Sequence, residues 1–173
     1  MDFFEVVRAR YSYRGDFRTG IIPEETLRRI VQAGLDAPSG CNFQTTEFVV
    51  VNDKALVAQI GAILSKPSIA LAPAVIVAVC NPEPNLNGTS FWIEDCAAAV
   101  QNVLLAVTAC GYVSCWIDGA LRREQRAEKI AALLGVPAGR IVRIVLPVGV
   151  PTAPGVKKDK KPFDKRAWFN KYG

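Results

Sequence analysis

Apolar and polar positions along this chain fall into blocks whose period switches between that of a helix and that of a strand. Residues 23–35 begin with Pro23 and place Leu27, Ile30, Val31 and Leu35 at steps of three, one and four, which marks one helix face. Ahead of them, residues 2–10 carry Phe3, Phe4, Val6 and Val7 around Glu5 and predict a short amphipathic helix. Two unbroken apolar runs, 48–51 and 74–79, have the length of buried strands, and the second is bounded by Pro73 and by Asn81-Pro82. Residues 54–64 read as a helix that stops before Pro67. From Asn81 to Ser90 two prolines and one glycine predict a loop, the segment of the chain most expected to move. Residues 91–110 then form one long helix, apolar on almost every face, with Gln101 and Asn102 as polar breaks. Such a helix has to be covered all round, by its own domain or in part by a second subunit. A helix over 122–134 and a strand over 141–146 complete an α+β sandwich, with no internal repeat and no domain boundary.

Composition narrows the function classes. A chain of 173 residues is one domain's worth and buries roughly 70% of its unfolded surface. Half of its residues are hydrophobic, which excludes a disordered chain. The apolar runs fall short of the ~20 residues that a membrane span requires. The N-terminus carries Asp2 and Glu5 and no basic stretch before an apolar core, so no signal peptide is expected and a cytoplasmic location is the default. Five cysteines are present, none in a Cys-x-x-Cys; Cys80, Cys96 and Cys110 lie in apolar surroundings and read as core residues, whereas Cys41 lies in a polar turn. There is no histidine. Its absence argues against a metal site and removes both the Ser-His and Cys-His nucleophile pairs and the commonest general base. An enzyme built this way takes its chemistry from a cofactor. No Gly-x-Gly-x-x-Gly and no Walker-type loop occurs, which excludes Rossmann and P-loop readings.

Two polar stretches carry the candidate chemistry. Residues 37–48 read Ala-Pro-Ser-Gly-Cys-Asn-Phe-Gln-Thr-Thr-Glu-Phe, a small-residue turn with one hydroxyl, Ser39, and two amides, Asn42 and Gln44. Each amide offers a donor and an acceptor, which suits reading the edge of an uncharged heteroaromatic ring. A bare polar turn would use the same residue types. The second stretch, Arg8-Ala9-Arg10-Tyr11-Ser12-Tyr13-Arg14, sets guanidiniums around a hydroxyl. Arginine grips phosphate and carboxylate through paired hydrogen bonds, and a serine between two of them adds a neutral donor. The net charge of +5 is concentrated near the C-terminus, in Lys157-Lys158-Asp159-Lys160-Lys161 and Lys165-Arg166. That run is open to three readings: a nucleic-acid patch, a solvated tail or a phosphate clamp. Pro162, Phe163, Trp168 and Phe169 follow it and argue for a docked segment.

Arg-x-Ser-x-Arg followed about 25 residues later by Ala-Pro-Ser-Gly-x-Asn-x-Gln resembles the FMN-dependent nitroreductase family, of which this chain would be a short, single-domain member spanning residues 1–173. The likeness extends through Pro23-Glu24-Glu25-Thr26-Leu27, Glu94-Asp95-Cys96-Ala97-Ala98, the segment 111–119, Leu133-Leu134-Gly135-Val136-Pro137 and Val148-Gly149-Val150-Pro151. The last of these lacks the tyrosine common in that family turn. The resemblance implies a nitroreductase-like α+β sandwich whose mixed, mainly antiparallel sheet is flanked by helices. It also implies an intertwined homodimer with the long apolar helix near its centre.

By the same resemblance, Arg10, Ser12 and Arg14, with Lys158 or Lys160, hold the FMN phosphate, ribityl chain and pyrimidine edge. Tyr11 lies with its backbone against the flavin. Pro38, Ser39 and Asn42 reach the flavin from the other subunit, and Gln44 lies at the ring. Asp118 and Gly119 match the pair whose backbone N–H faces flavin N5, where a donor stabilises developing negative charge. The implied reaction is ping-pong hydride transfer from NAD(P)H through the flavin to a nitroaromatic, a quinone or a similar small acceptor. No catalytic side chain is implied. Residues 65–72 are short where longer members carry a lid and polar flavin contacts, and they offer Lys66 and Ser68. Two other readings stand beside this one. The first is an FMN enzyme of different chemistry, dehalogenating or flavin-degrading; the second is a non-enzymatic basic module that binds nucleic acid or an acidic partner through 157–166.

Overall fold

The computed structural model describes residues 1–83 and 86–173. Four strands form one antiparallel sheet in the order β1-β2-β4-β3. β1 is Thr46–Val51, β2 Ala74–Cys80, β3 Val113–Ser114 and β4 Ile141–Gly149. Among the described residues six α-helices accompany it: α1 (Phe3–Ala9), α2 (Glu24–Leu35), α3 (Lys54–Ile63), α4 (Pro67–Ala70), α5 (Trp92–Ala109) and α6 (Arg126–Leu134). Where a mixed sheet is expected, all its strand pairs are antiparallel, and the parallel contact from Ser12 to Ser114 is an isolated bridge beside β3.

β2 explains the layering. All seven of its residues are buried, and alternate side chains enter different cores. Val75, Val77 and Val79 pack with Val57, Ile60, Leu64, Ile69 and Ile130 from α3, the turn after it, α4 and α6. Ala74, Ile76, Ala78 and Cys80 pack instead with Leu27 and Ile30 of α2 and with Cys96, Val100, Val103 and Val107 of α5. The unbroken apolar run is therefore what a strand covered on both faces requires.

Helix ends follow local chemistry. Asp2 and Glu5 form a reciprocal capping box on α1, and Asp53 caps α3 through the Leu56 N–H. α5 stops where Gly111 takes a left-handed φ of 82°, with the Tyr112 N–H donating back to the Val107 carbonyl. The helix expected over 122–134 begins only at Arg126. Arg122 is held to Asp118 by two hydrogen bonds, and Glu124 and Gln125 take left-handed φ of 54° and 55°, so the chain cannot coil before that point. Arg126 then donates to the Leu64 carbonyl at 3.2 Å and to the Ser65 hydroxyl, tying α6 to the end of α3.

The strand expected to end at 146 continues through Pro147 to Gly149. Val145 exchanges both backbone hydrogen bonds with Ile117, so Pro147, two residues on, turns its missing N–H toward the same edge. The ladder with the 113–117 segment is interrupted there, which is where a strand tolerates proline. Within the stretch 65–72, short by comparison with longer family members, Pro67–Ala70 form a single helical turn started by Pro67. The loop expected over 81–90 includes Pro84 and Asn85, which lie outside the described residues. Beyond them Leu86 and Thr89 pair across a tight turn.

Ile76 is fully buried between β2, α2 and α5. Ile76→Ala should destabilise the protein by about 2–5 kcal/mol, read as a lower urea midpoint with an unchanged slope.

Candidate functional site

Two clefts, one toward each end of β2, are lined by six of the twelve candidate residues: Arg14, Asp118 and Gly119 in the first, Pro38, Ser39 and Gln44 in the second. The first, about 240 Å³, has Arg14, Lys66, Ser68, Asp118 and Gly119 around an apolar floor of Phe17, Ile69, Ile117 and Pro147. The N-terminal arm reaches it because the Tyr13 N–H donates to the Ser114 carbonyl and because Tyr13 is buried, its hydroxyl bonded to the Asp16 carbonyl at 2.6 Å. Arg14 is left exposed at the rim. Pro147, where the ladder is interrupted, lines the cleft together with Cys115, Trp116 and Ile117 from the facing segment.

The electrostatics of this cleft are mainly cationic. Asp118 does not offer a free carboxylate: Arg122 binds both of its oxygens at 2.9 Å, and Arg143 from β4 binds one of them. Arg122 is the main cause, with Arg143 behind it, of an Asp118 pKa below the usual carboxylate range, against the opposing push of burial. The side chain is thus an anchor for the backbone of 118–119. Cys115 also borders the cleft; burial pushes its thiol up, while Arg14 and Lys66 draw it partly back. It stands there as a neutral thiol, not a nucleophilic thiolate.

The second cleft is lined by Pro38, Ser39, Gln44, Thr45, Thr46 and Asp95, among others. Its turn is strained: Cys41, Asn42 and Gln44 have φ of 51°, 56° and 50°, a region that costs a non-glycine residue about 1 kcal/mol or more. Ser39 holds the turn from inside, its hydroxyl accepting from the Gln44 N–H and its carbonyl from the Asn42 N–H. Asn42 itself is exposed.

The clefts share no lining residue. Register explains why, because Thr46 lies opposite Cys80 at one end of β2 and Pro147 opposite Val75 at the other. Five residues of strand separate the two positions by about 17 Å. A single chain therefore brings Arg14 to Asp118 and Gly119, and separately Pro38 and Ser39 to Gln44, but does not join the two sets.

The remaining candidates lie near the first cleft or on the C-terminal arm. Arg10 caps α1 through its backbone N–H, and Ser12 forms the bridge to Ser114. Tyr11 is covered by the arm at Gly155, where a Cβ would come within 2.2 Å of the ring. The arm is laid along the N-terminal segment by hydrogen bonds from Arg18 to the Pro151 carbonyl and from Thr152 to the Asp16 carbonyl. Lys157, and not Lys158 or Lys160, reaches the N-terminal basic stretch, donating to the Arg8 carbonyl. Lys158 and Lys160 are exposed. Sequence reasoning missed Arg143, which sits in an ordinary strand pattern, and Asp95, whose place at the start of a helix gave no sign that it points into the protein.

Residues 7–81 and 64–150 match the family model described as the Nitroreductase family. The chain is 33% identical over 143 residues to a provisionally named NADH dehydrogenase/NAD(P)H nitroreductase of Archaeoglobus fulgidus, covering 82% of this chain and 78% of the relative. It is 29% identical over 158 residues to a protein of the same provisional name from Methanothermobacter thermautotrophicus, covering 91% and 82%. Among solved structures, an FMN-dependent nitroreductase from Clostridium difficile R20291 superposes with a TM-score of 0.82 at 26% identity, over 98% of this chain and 100% of that one. The chain belongs to the nitroreductase family, and it is an oxidoreductase by that membership. Among the described residues no helix is long and apolar enough to cross a membrane.

The depressed Asp118 pKa gives a pH signature. Its ion pairs stabilise the fold above the unfolded carboxylate pKa of about 4 and are lost as pH falls through the lower folded value. Urea midpoints of wild type and Asp118→Asn should therefore differ most near neutrality and converge as the pH drops below about 4.

Proposed function

We propose that this protein is an FMN-dependent NAD(P)H oxidoreductase whose flavin site is completed by a second copy of the chain. The observation that carries the reading is the first cleft. It pairs an apolar floor with Arg14, Lys66, Ser68 and the 118–119 backbone, a donor set that fits a flat heteroaromatic ring with anionic and carbonyl edges. When bound, FMN supplies two-electron hydride chemistry between NAD(P)H and a small acceptor such as a nitroaromatic or a quinone.

The protein's part is to bind, orient and polarise. Arg10, Ser12 and Arg14 grip the phosphate and the polar edge, and Lys157 brings the C-terminal arm with Lys158 and Lys160 alongside them. The Asp118–Gly119 backbone, fixed through the two guanidiniums on Asp118, presents its N–H where negative charge develops. No side chain has to act as base or nucleophile, which matches a cleft whose carboxylate is paired and whose thiol is neutral.

The dimeric site is supported by the two clefts sharing no lining residue and bordering opposite ends of β2, about 17 Å apart along the strand. In the dimer Pro38, Ser39, Asn42 and Gln44 of one protomer would meet Arg14 and Gly119 of its partner. The protomer leaves apolar surface for such an interface: Phe3 and Phe4 are 65% and 67% exposed, and Ile93 is 51% exposed on the outer face of α5. Ala97, one turn on from Ile93 and exposed on the same side of the helix, permits a close helix approach.

The purified protein should show flavin absorption, as isolated or after FMN is added, and anaerobic NADH or NADPH should bleach it. A colourless protein that does not take up FMN would overturn the reading; bound flavin that neither nucleotide bleaches would point to flavin chemistry of another kind. Arg14→Ala should weaken FMN binding about 10- to 100-fold, the loss of one charge-assisted hydrogen bond. If the site is shared, mixing Arg14→Ala with Asn42→Ala chains should restore at most half of the sites, and neither variant alone should recover.

A further inference from the structure

The turn that bears Pro38, Ser39, Asn42 and Gln44 is held from inside by Ser39, and from outside by Asp95 of α5. This side chain is 5% exposed, in the first turns of α5. Among the described residues it has no cationic partner in the ion pairs formed. A buried carboxylate without a cation persists only if hydrogen bonds replace water. Asp95 receives two: the Gly40 N–H donates to one oxygen at 2.8 Å, and the Thr45 hydroxyl donates to the other at 2.7 Å.

These two donors bracket the strained residues. Between Gly40 and Thr45 lie Cys41, Asn42 and Gln44, the three left-handed positions of the turn. Such conformations persist only where the surroundings over-determine them. Gly40 is also pressed on the Phe91 ring, where a Cβ would come within 2.3 Å, so the turn is docked tightly on the start of α5. The Thr45 carbonyl accepts from the Asn81 N–H and fixes the far end to the exit of β2. One carboxylate thus clamps both ends of the segment whose outward side bears Asn42.

We propose that Asp95 is a positioning residue for the cofactor: through Gly40 and Thr45 it holds the 38–44 turn in the shape that receives the flavin. The inference rests on the flavin reading above. It predicts that what matters at position 95 is the pair of acceptor contacts, not the negative charge. An amide there can accept from the Gly40 N–H and donate to the Thr45 hydroxyl, which reverses its own role.

The test uses the full-length protein and two readouts, FMN affinity by fluorescence titration and amide hydrogen exchange of the flavin-free protein. Asp95→Ala should weaken FMN binding at least about tenfold, since two hydrogen bonds to a charged acceptor are lost. It should also abolish slow exchange at Gly40 while β2 stays protected. Asp95→Asn should return both readouts to within about threefold of wild type, and Thr45→Val, which keeps the Gly40 bond, should fall between them. Wild-type affinity in Asp95→Ala would overturn the proposal. So would failure of Asp95→Asn to rescue, or loss of protection spread equally over β1, β2 and α5, which marks a general packing role. Should wild type not bind FMN at all, the flavin reading fails on its own, and the exchange data still decide whether Asp95 fixes the turn.

Discussion

The constraint on which this structure depends is the burial of β2 on both faces. A strand with seven buried residues can solvate none of its backbone, so β1 and β4 must both pair with it along its length. Its alternation sets the two cores apart, valines toward α3, α4 and α6, and Ile76 with its small neighbours toward α2 and α5. A slip of one residue would send Ile76 into the space shaped for Val77, and so the register is strongly specified. That register in turn fixes the distance between the two polar clefts, one anchored at the Ala74 end of the strand and one at the Cys80 end.

Around this frame the functional segments are held by polar groups rather than by packing. Asp118 gives up its carboxylate to two arginines, and Asp95 gives its own to a glycine amide and a threonine hydroxyl. Neither acid is free for proton chemistry. Both serve to fix a short stretch of main chain, which is what a protein needs when its reactive atoms belong to a bound group. Backbone amides placed this way do not reorganise during a reaction, and that is the source of their electrostatic value.

Much of this was legible in the residues. The apolar run at 74–79, the Leu27-Ile30-Val31 face and the greasy 91–110 helix reported their burial directly, because period and composition are local properties. The ordered pair of motifs around Ser12 and Ser39 pointed to the family. What sequence could not supply was long-range: that Lys157, and not its neighbours, meets Arg8, or that Arg143 reaches Asp118 across β4. The delayed start of α6 belongs to the same class, since Arg122 is drawn away by a partner four residues back and two left-handed residues follow. Helix propensity counts such residues as good formers and is overridden by the contact.

Pro147 has a consequence beyond lining the cleft floor. An open strand edge is a template on which another chain can add itself, in a neighbouring molecule or in a misfolded one. Here the interrupted stretch of β4 borders the first cleft, between the β3 pairing and the Ile117 bridge. With no N–H at that position, the main chain cannot complete the ladder that an incoming strand would need. The missing hydrogen atom thus makes this break in the ladder a poor start for any further strand, and the burial of Pro147 keeps it out of a second chain's reach.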